Sequence, residues 1–286
     1  MIALLAAALT LAAPPSDSML VSTAWLAERL GDPRLVLFQI GSRAEYNSAH
    51  IAGARYIQLS DIAAPRDSLL PLELPSPAAL DSALEARGVS DDSRIVLYWG
   101  STWLSPTTRV YLTLVWAGLG DRVSILDGGL PAWRAAGHPV TAESPSVRPG
   151  NVTIRPRSDI VVTAPWVAEH RGDADVALID ARNPRFYTGE DTNYTRPGHI
   201  PGARNLPFDT VADSTGHVLP PAELERLFAA AGAAPGKLVV AYCHIGQQAT
   251  AVWFAARLLG REARLYDGSY TEWDRLTHLP VERSIP

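Results

Sequence analysis

The chain has 286 residues, 47% of them hydrophobic and 19% charged, a globular composition with room for two domains and none of the bias of a disordered or collagen-like chain. Its 25 basic residues, 24 of them arginine, face 30 acidic ones for a net charge of −5, and no basic run marks a footprint for nucleic acid. The single cysteine, Cys243, excludes an intramolecular disulfide framework and any multi-cysteine zinc or iron–sulfur centre.

In chain order, Ile2 to Ala13 is an unbroken apolar or neutral run followed by Pro14-Pro15-Ser16-Asp17-Ser18. At about a dozen residues it is too short to span a bilayer and is closer to a secretory h-region, although no positively charged stretch precedes it. Residues 1–18 are therefore read as a leader, with cleavage expected after Ala12 and a periplasmic or exported mature protein. Initiation at Met19 is the alternative, and it leaves the protein in the cytoplasm. No other stretch reaches the roughly 18 apolar residues of a membrane span.

The first domain is read over 19–142. Ile95 to Tyr98 is a short apolar run expected as a buried parallel strand, Thr107 to Ala117 a helix stopped by Gly118, and Val123 to Leu126 a further strand. A stretch from Glu143 to Arg157, carrying Pro145, Pro149 and Pro156, is read as the linker to a second domain over 158–286. There Val176 to Ile179 predicts a strand, and Pro221 to Ala231 a helix with Pro in its first turn and Gly232 past its end. Leu238 to Tyr242 is a strand, Gln248 to Leu259 a helix with Trp253, Phe254 and Leu258 on its apolar face, and Ala263 to Tyr266 a strand. Strands alternating with helices predict an α/β fold whose parallel sheets are covered on both faces.

The two halves also match one another. Val21-Ser22-Thr23-Ala24-Trp25 returns as Val162-Thr163-Ala164-Pro165-Trp166, and His50-Ile51-Ala52-Gly53-Ala54 as His199-Ile200-Pro201-Gly202-Ala203. Tyr98 returns as Tyr242, and Asp127-Gly128 with Trp133 as Asp267-Gly268 with Trp273. Arg43 is aligned with Arg182. Ordered matches at shifts near 140 residues imply two copies of one domain.

Cys243 stands where a strand passes directly into a helix, through His244, Ile245, Gly246, Gln247 and Gln248. Ligands of open α/β sheets bind at the carboxyl ends of strands, where helix N-termini present unpaired N–H groups. Those dipoles favour a thiolate, and Gly246 lets the backbone curl so that successive amides point inward as an anion nest.

In these motifs the sequence resembles the rhodanese family of sulfurtransferases in its tandem two-domain form, over nearly the whole chain from Met19. The resemblance rests on the two His-Ile-X-Gly-Ala motifs, the two Asp-Gly…Trp motifs and the Cys243 loop. It implies two rhodanese-like domains, the second catalytic and the first silent, since Trp99 occupies the position equivalent to Cys243. It implies a Cys243 persulfide formed from a sulfane donor and passed to cyanide or a thiol, with no cofactor, metal or nucleic acid partner. Arg182 matches the family's substrate-binding arginine. The amides of His244, Ile245, Gly246, Gln247 and Gln248 are expected to hold the sulfur anion. Arg185 and Arg196, on the segment before His199, are further candidates for the donor anion, with solvated loop charge as the plainer reading.

His50 and His199 are expected as structural hydrogen-bonding residues, Asp180 as the group that orders the Arg182 loop, and Trp133 and Trp273 as packing residues. His244 either raises the local potential or faces solvent. A cysteine phosphatase or arsenate reductase would need an arginine six positions after the nucleophile, where this chain has Ala249. A non-catalytic persulfide carrier is a third reading. The loop has no Arg or Lys, yet its Gln and His are polar and bulky, and on that ground thiosulfate is expected as donor ahead of 3-mercaptopyruvate.

Overall fold

The computed structural model describes residues 19–65, 68–101 and 104–284, and the expected leader over 1–18 lies outside them. The first half runs β1 (Leu20–Val21), α1 (Thr23–Ala27), β2 (Leu35–Ile40), α2 (Arg43–Ser48), β3 (Arg55–Ile57), α3 (Pro77–Glu85), β4 (Arg94–Trp99), α4 (Leu104–Trp116), β5 (Val123–Leu126) and α5 (Gly129–Ala135). The second half repeats the order as β6 (Val161–Val162), α6 (Ala164–His170), β7 (Val176–Asp180), α7 (Pro184–Thr188), β8 (Arg204–Asn205), α8 (Pro221–Ala230), β9 (Leu238–Tyr242), α9 (Ala249–Leu258), β10 (Ala263–Tyr266) and α10 (Ser269–Arg275). Both sheets have five parallel strands in the same order, β1-β5-β4-β2-β3 and β6-β10-β9-β7-β8.

Local chemistry accounts for these elements. β4 and β9 are buried from Ile95 to Trp99 and from Val239 to Tyr242, which is why they read as unbroken apolar runs. Ser22 and Thr163 cap α1 and α6, and Ser42 with Glu45 forms a reciprocal capping box on α2. The helix expected from Thr107 starts at Leu104 because Pro106 falls in its first turn, where a missing N–H costs nothing.

The repeats are physical as well as textual. Nδ1 of His50 donates to the carbonyl of Tyr46 at 2.7 Å and Nδ1 of His199 to that of Tyr187 at 2.7 Å, each ring stacked on its tyrosine. The indoles of Trp133 and Trp273 donate to Pro139 and Pro280, and the hydroxyls of Tyr98 and Tyr242 accept from Ile51 and Ile200. One match needs correction. The sheet register pairs Gln39 with Tyr98 and Asp180 with Tyr242, and Ser42 and Asn183 are the matching caps of α2 and α7. Arg182 is therefore the counterpart of Gly41, not of Arg43, whose guanidinium lies on the Tyr56 ring.

The halves dock through α4 and α9. Thr108 Oγ1 meets Thr250 Oγ1 at 2.8 Å, and Tyr111 packs edge-on to Phe254 at 4.9 Å. Since Gly118 and Gly260 end these helices at the same spacing, Thr108 and Thr250 are repeat mates, and their contact places an approximate twofold axis between the helices. One apolar cluster extends through this contact from Val36 in the first sheet to Leu265 in the second. The Pro-rich stretch runs along the first half, with Gly150 donating to Glu85 and Arg155 and Arg157 to Ala117 and Trp116.

Candidate active site

Cys243 follows β9 and is fully buried. Its N–H donates to Ser269 Oγ at 3.1 Å, and its carbonyl and that of His244 accept from the N–H groups of Tyr270 and Thr271 at the start of α10. Ser269 holds φ +52, a left-handed conformation that costs a serine on the order of 1 kcal/mol. The bridge from Cys243 N–H through Ser269 Oγ to the Tyr266 carbonyl offsets that strain. At the matching place the first domain has Gly129, where a Cβ would lie 2.6 Å from the Trp99 indole. The small thiol is what leaves room for Ser269.

Among the described residues, none of the five backbone N–H groups from His244 to Gln248 donates a hydrogen bond. Orphan amides at a strand–helix junction make a candidate anion nest. Gly246 has φ +77, and a Cβ on it would stand 2.5 Å from Asp267 Oδ1, so only glycine closes this loop.

Arg182, just past β7, is fully buried. Its Nε donates to both oxygens of Asp180 at 2.9 and 3.1 Å, its Nη2 reaches Asp180 Oδ2 at 2.5 Å and the Gly198 carbonyl at 2.7 Å, and its guanidinium lies 3.9 Å above the Tyr270 ring. Nη1 is buried without a partner among the described residues, so one cationic N–H is left for a ligand. Asp180 orders this group, as expected.

His244 packs edge-on to Phe186 at 4.5 Å, and its Nδ1 and the Tyr194 hydroxyl share a hydrogen bond at 2.7 Å. Burial first, then the nearby charge of Arg182, lowers its pKa to about 4. The ring is therefore neutral at pH 7 and adds no charge to the local potential, and it is half-buried against Phe186 and Tyr194. Burial raises the Tyr194 pKa, with Cys243 a smaller contributor, and its ring sits 5.6 Å from the Arg182 guanidinium. Tyr194 thus joins the arginine and the histidine, and nothing in its sequence context marked it.

The two further arginines on this segment have other surroundings. Arg196 gives its guanidinium to the carbonyls of Asp274, Leu279, Leu276 and Trp273, and so ties down the end of α10 instead of holding a donor. Arg185 is exposed and lies 3.5 Å from Glu190, a solvated loop charge.

A residue the sequence reading missed enters from the other domain. Arg109 of α4, 1% exposed, donates to the Gly246 carbonyl at 3.0 Å and to both oxygens of Asp267. Asp267 also accepts from Leu74 N–H at 3.0 Å. A lone arginine inside an otherwise buried helix, with Ala251 as its repeat mate, was the available signal. In the first domain the corresponding positions carry Gln39, Gly41 and Trp99 in place of Asp180, Arg182 and Cys243. A cavity of about 540 Å³ there is lined by Trp99, Ser105, Pro131, Phe208, Asp213 and Ala251 among others, with neither cysteine nor arginine.

The rhodanese-like domain pattern matches residues 22–136 and 163–276. The chain belongs to the rhodanese-like family. It is 36% identical over 281 residues to the Pseudomonas aeruginosa "Probable 3-mercaptopyruvate sulfurtransferase", covering 93% of this chain and 98% of that one. It is 30% identical to a Mycobacterium bovis protein named "Putative thiosulfate sulfurtransferase 1", covering 92% and 97%. The anaerobic ergothioneine biosynthesis enzyme of Chlorobium limicola shares the fold at TM-score 0.82 and 23% identity, over 94% of this chain and 71% of that one. Two rhodanese-like domains in tandem, one with a cysteine and one without, is the organisation the motifs implied.

Proposed function

We propose that this protein is a sulfurtransferase that carries sulfane sulfur as a persulfide on Cys243. The observation that carries the reading is a buried thiol beside five unsatisfied, loop-borne N–H groups. The Cys243 thiolate attacks the outer sulfur of thiosulfate; a new S–S bond forms, the donor's S–S bond breaks, and its electron pair leaves with sulfite. Cyanide or a thiolate then attacks the outer persulfide sulfur and restores the Cys243 thiolate. The loop amides stabilise the persulfide anion at each stage, in a site where burial makes such bonds stronger than in water. Arg182 Nη1–H, buried without a partner among the described residues, is the donor offered to the anionic end of the substrate.

Thiosulfate stays the proposed donor, on the polar side chains of His244, Gln247 and Gln248. One observation favours 3-mercaptopyruvate instead: His244 is neutral and the Arg182 charge is matched by Asp180, so the site offers little net positive charge to a dianion. The relative from Pseudomonas aeruginosa supports the same alternative. Steady-state rates with both donors at matched concentrations test it, and a preference above tenfold for mercaptopyruvate would reverse the assignment. Intact-mass measurement after incubation with donor tests the chemistry itself. Export, read from residues 2–13, is part of the proposal and is checked by the N-terminal sequence of the protein isolated from its host.

A further inference from the structure

We infer that the first domain, which has no thiol, positions the catalytic loop of the second through Arg109. The inference rests on the proposed function of that loop. In a trans peptide the N–H points opposite to the C=O, so anchoring a carbonyl outward turns the next residue's N–H inward. Four carbonyls of the loop are anchored. Those of Cys243 and His244 accept from Tyr270 and Thr271 in the loop's own domain. That of Gly246 accepts from Arg109 Nη1 at 3.0 Å, and that of Gln247 from Thr250 Oγ1 at 2.6 Å. Thr250 in turn meets Thr108 and the Ser105 carbonyl of the first domain.

The Gly246 carbonyl is the one that most needs holding. Gly246 has no Cβ to restrict its ψ, and among the described residues the carbonyl it carries has no anchor within its own domain, so without Arg109 the Gly246–Gln247 peptide is free to turn over. Flipped, it would aim a carbonyl oxygen, not the Gln247 N–H, at the sulfur anion. Arg109 prevents this from a rigid position: it is 1% exposed, and its charge is matched by Asp267. The twofold-related place supplies the contrast. There Ala251 replaces Arg109, and Asp127, the mate of Asp267, accepts from Val218 N–H at 3.1 Å. The packing at that place does without an arginine; only the side with a cysteine has one.

The test uses the full chain as Arg109→Met, Arg109→Lys and, in case the first variant fails to fold with Asp267 left unpaired, Arg109→Met with Asp267→Asn. Single-turnover sulfur loading of Cys243 across donor concentrations is expected to lose about 10- to 100-fold in its limiting rate, with half-saturation changed less than threefold. The Lys variant, which keeps a donor for the Gly246 carbonyl, should recover most of the rate. Alkylation of Cys243 by iodoacetamide at pH 7 should slow in parallel. Tyr111→Leu, which loosens the domain contact without touching the loop, serves as the comparison. A wild-type loading rate in the folded Met variants would overturn the positioning role, as would an equal loss in Tyr111→Leu. Wild-type protein that never loads sulfur, while Arg109→Met still slows alkylation, would instead sink the proposed function and leave the positioning role standing.

Discussion

Arg182 is the buried partner of Asp180 and, in the proposed function, a binder of the donor anion, and the two can be separated by experiment. The sequence reading expects Arg182→Ala mainly to weaken donor binding. The structure adds a second consequence, because Arg182 is fully buried and shares two oxygens of an equally buried Asp180. Removing one partner leaves an uncompensated buried carboxylate, which costs about 3–5 kcal/mol, a large part of the roughly 5–15 kcal/mol that holds a domain folded. Loss of the charge facing the donor is worth about 2–5 kcal/mol of binding, or some 30-fold to several thousand-fold in the Michaelis constant. Arg182→Met should therefore both unfold early in urea and bind donor poorly. Adding Asp180→Asn removes the stranded charge and should return most of the stability while leaving donor binding weak. Urea titration and thiocyanate formation measured on the same preparations decide the matter. If the double variant recovers its Michaelis constant together with its stability, Arg182 is a packing residue only and the donor is held elsewhere.

Cys243→Ser should abolish sulfur transfer with an unchanged urea midpoint; residual thiocyanate formation would move the nucleophile to another group. His244 is depressed to about 4 in the fold against about 6.5 unfolded, so the unfolded chain binds more protons between those values and stability falls as pH drops through that window, by at most about 3 kcal/mol. Urea midpoints measured from pH 7 to pH 4 should show that slope, and it should disappear in His244→Asn; an identical slope in the variant refutes the assignment. Trp99→Cys with Gly129→Ser, built on Cys243→Ser, should remain inactive, because Gln39 and Gly41 stand where Asp180 and Arg182 are needed. Emptying the buried Trp99 site should also cost about 3–5 kcal/mol, and thiocyanate formation in that triple variant would refute the account of why the first domain is silent.

The duplicated fold, the strand–loop–helix setting of Cys243 and the pairing of Asp180 with Arg182 were all legible in the linear chain. Each depends on neighbours within a few residues: apolar runs mark buried strands, Gly246 marks a left-handed turn, and a carboxylate two positions from an arginine on a strand end can reach it. The role of Arg196 is not legible in the sequence because its partners, the carbonyls from Trp273 to Leu279, lie about 80 residues away and backbone groups carry no mark there. The sequence leaves His244 open because its charge state depends on burial against Phe186 and Tyr194, which is a property of packing. Arg43 was aligned with Arg182 by residue type, and only the hydrogen-bond register of the sheets could correct it.

The sequence by itself determined two α/β copies, one with its thiol and one without, since residue type and local periodicity are enough to specify a strand, a turn and a nucleophile. Tertiary structure alone decided that the silent copy reaches into the active one. Arg109 and Gly246 lie 137 residues apart, and what joins them is the near-twofold packing of α4 on α9, which sets a buried guanidinium against a single carbonyl. The direction of a peptide amide is a fact of three-dimensional anchoring, and it is on that direction that the stabilisation of a sulfur anion depends.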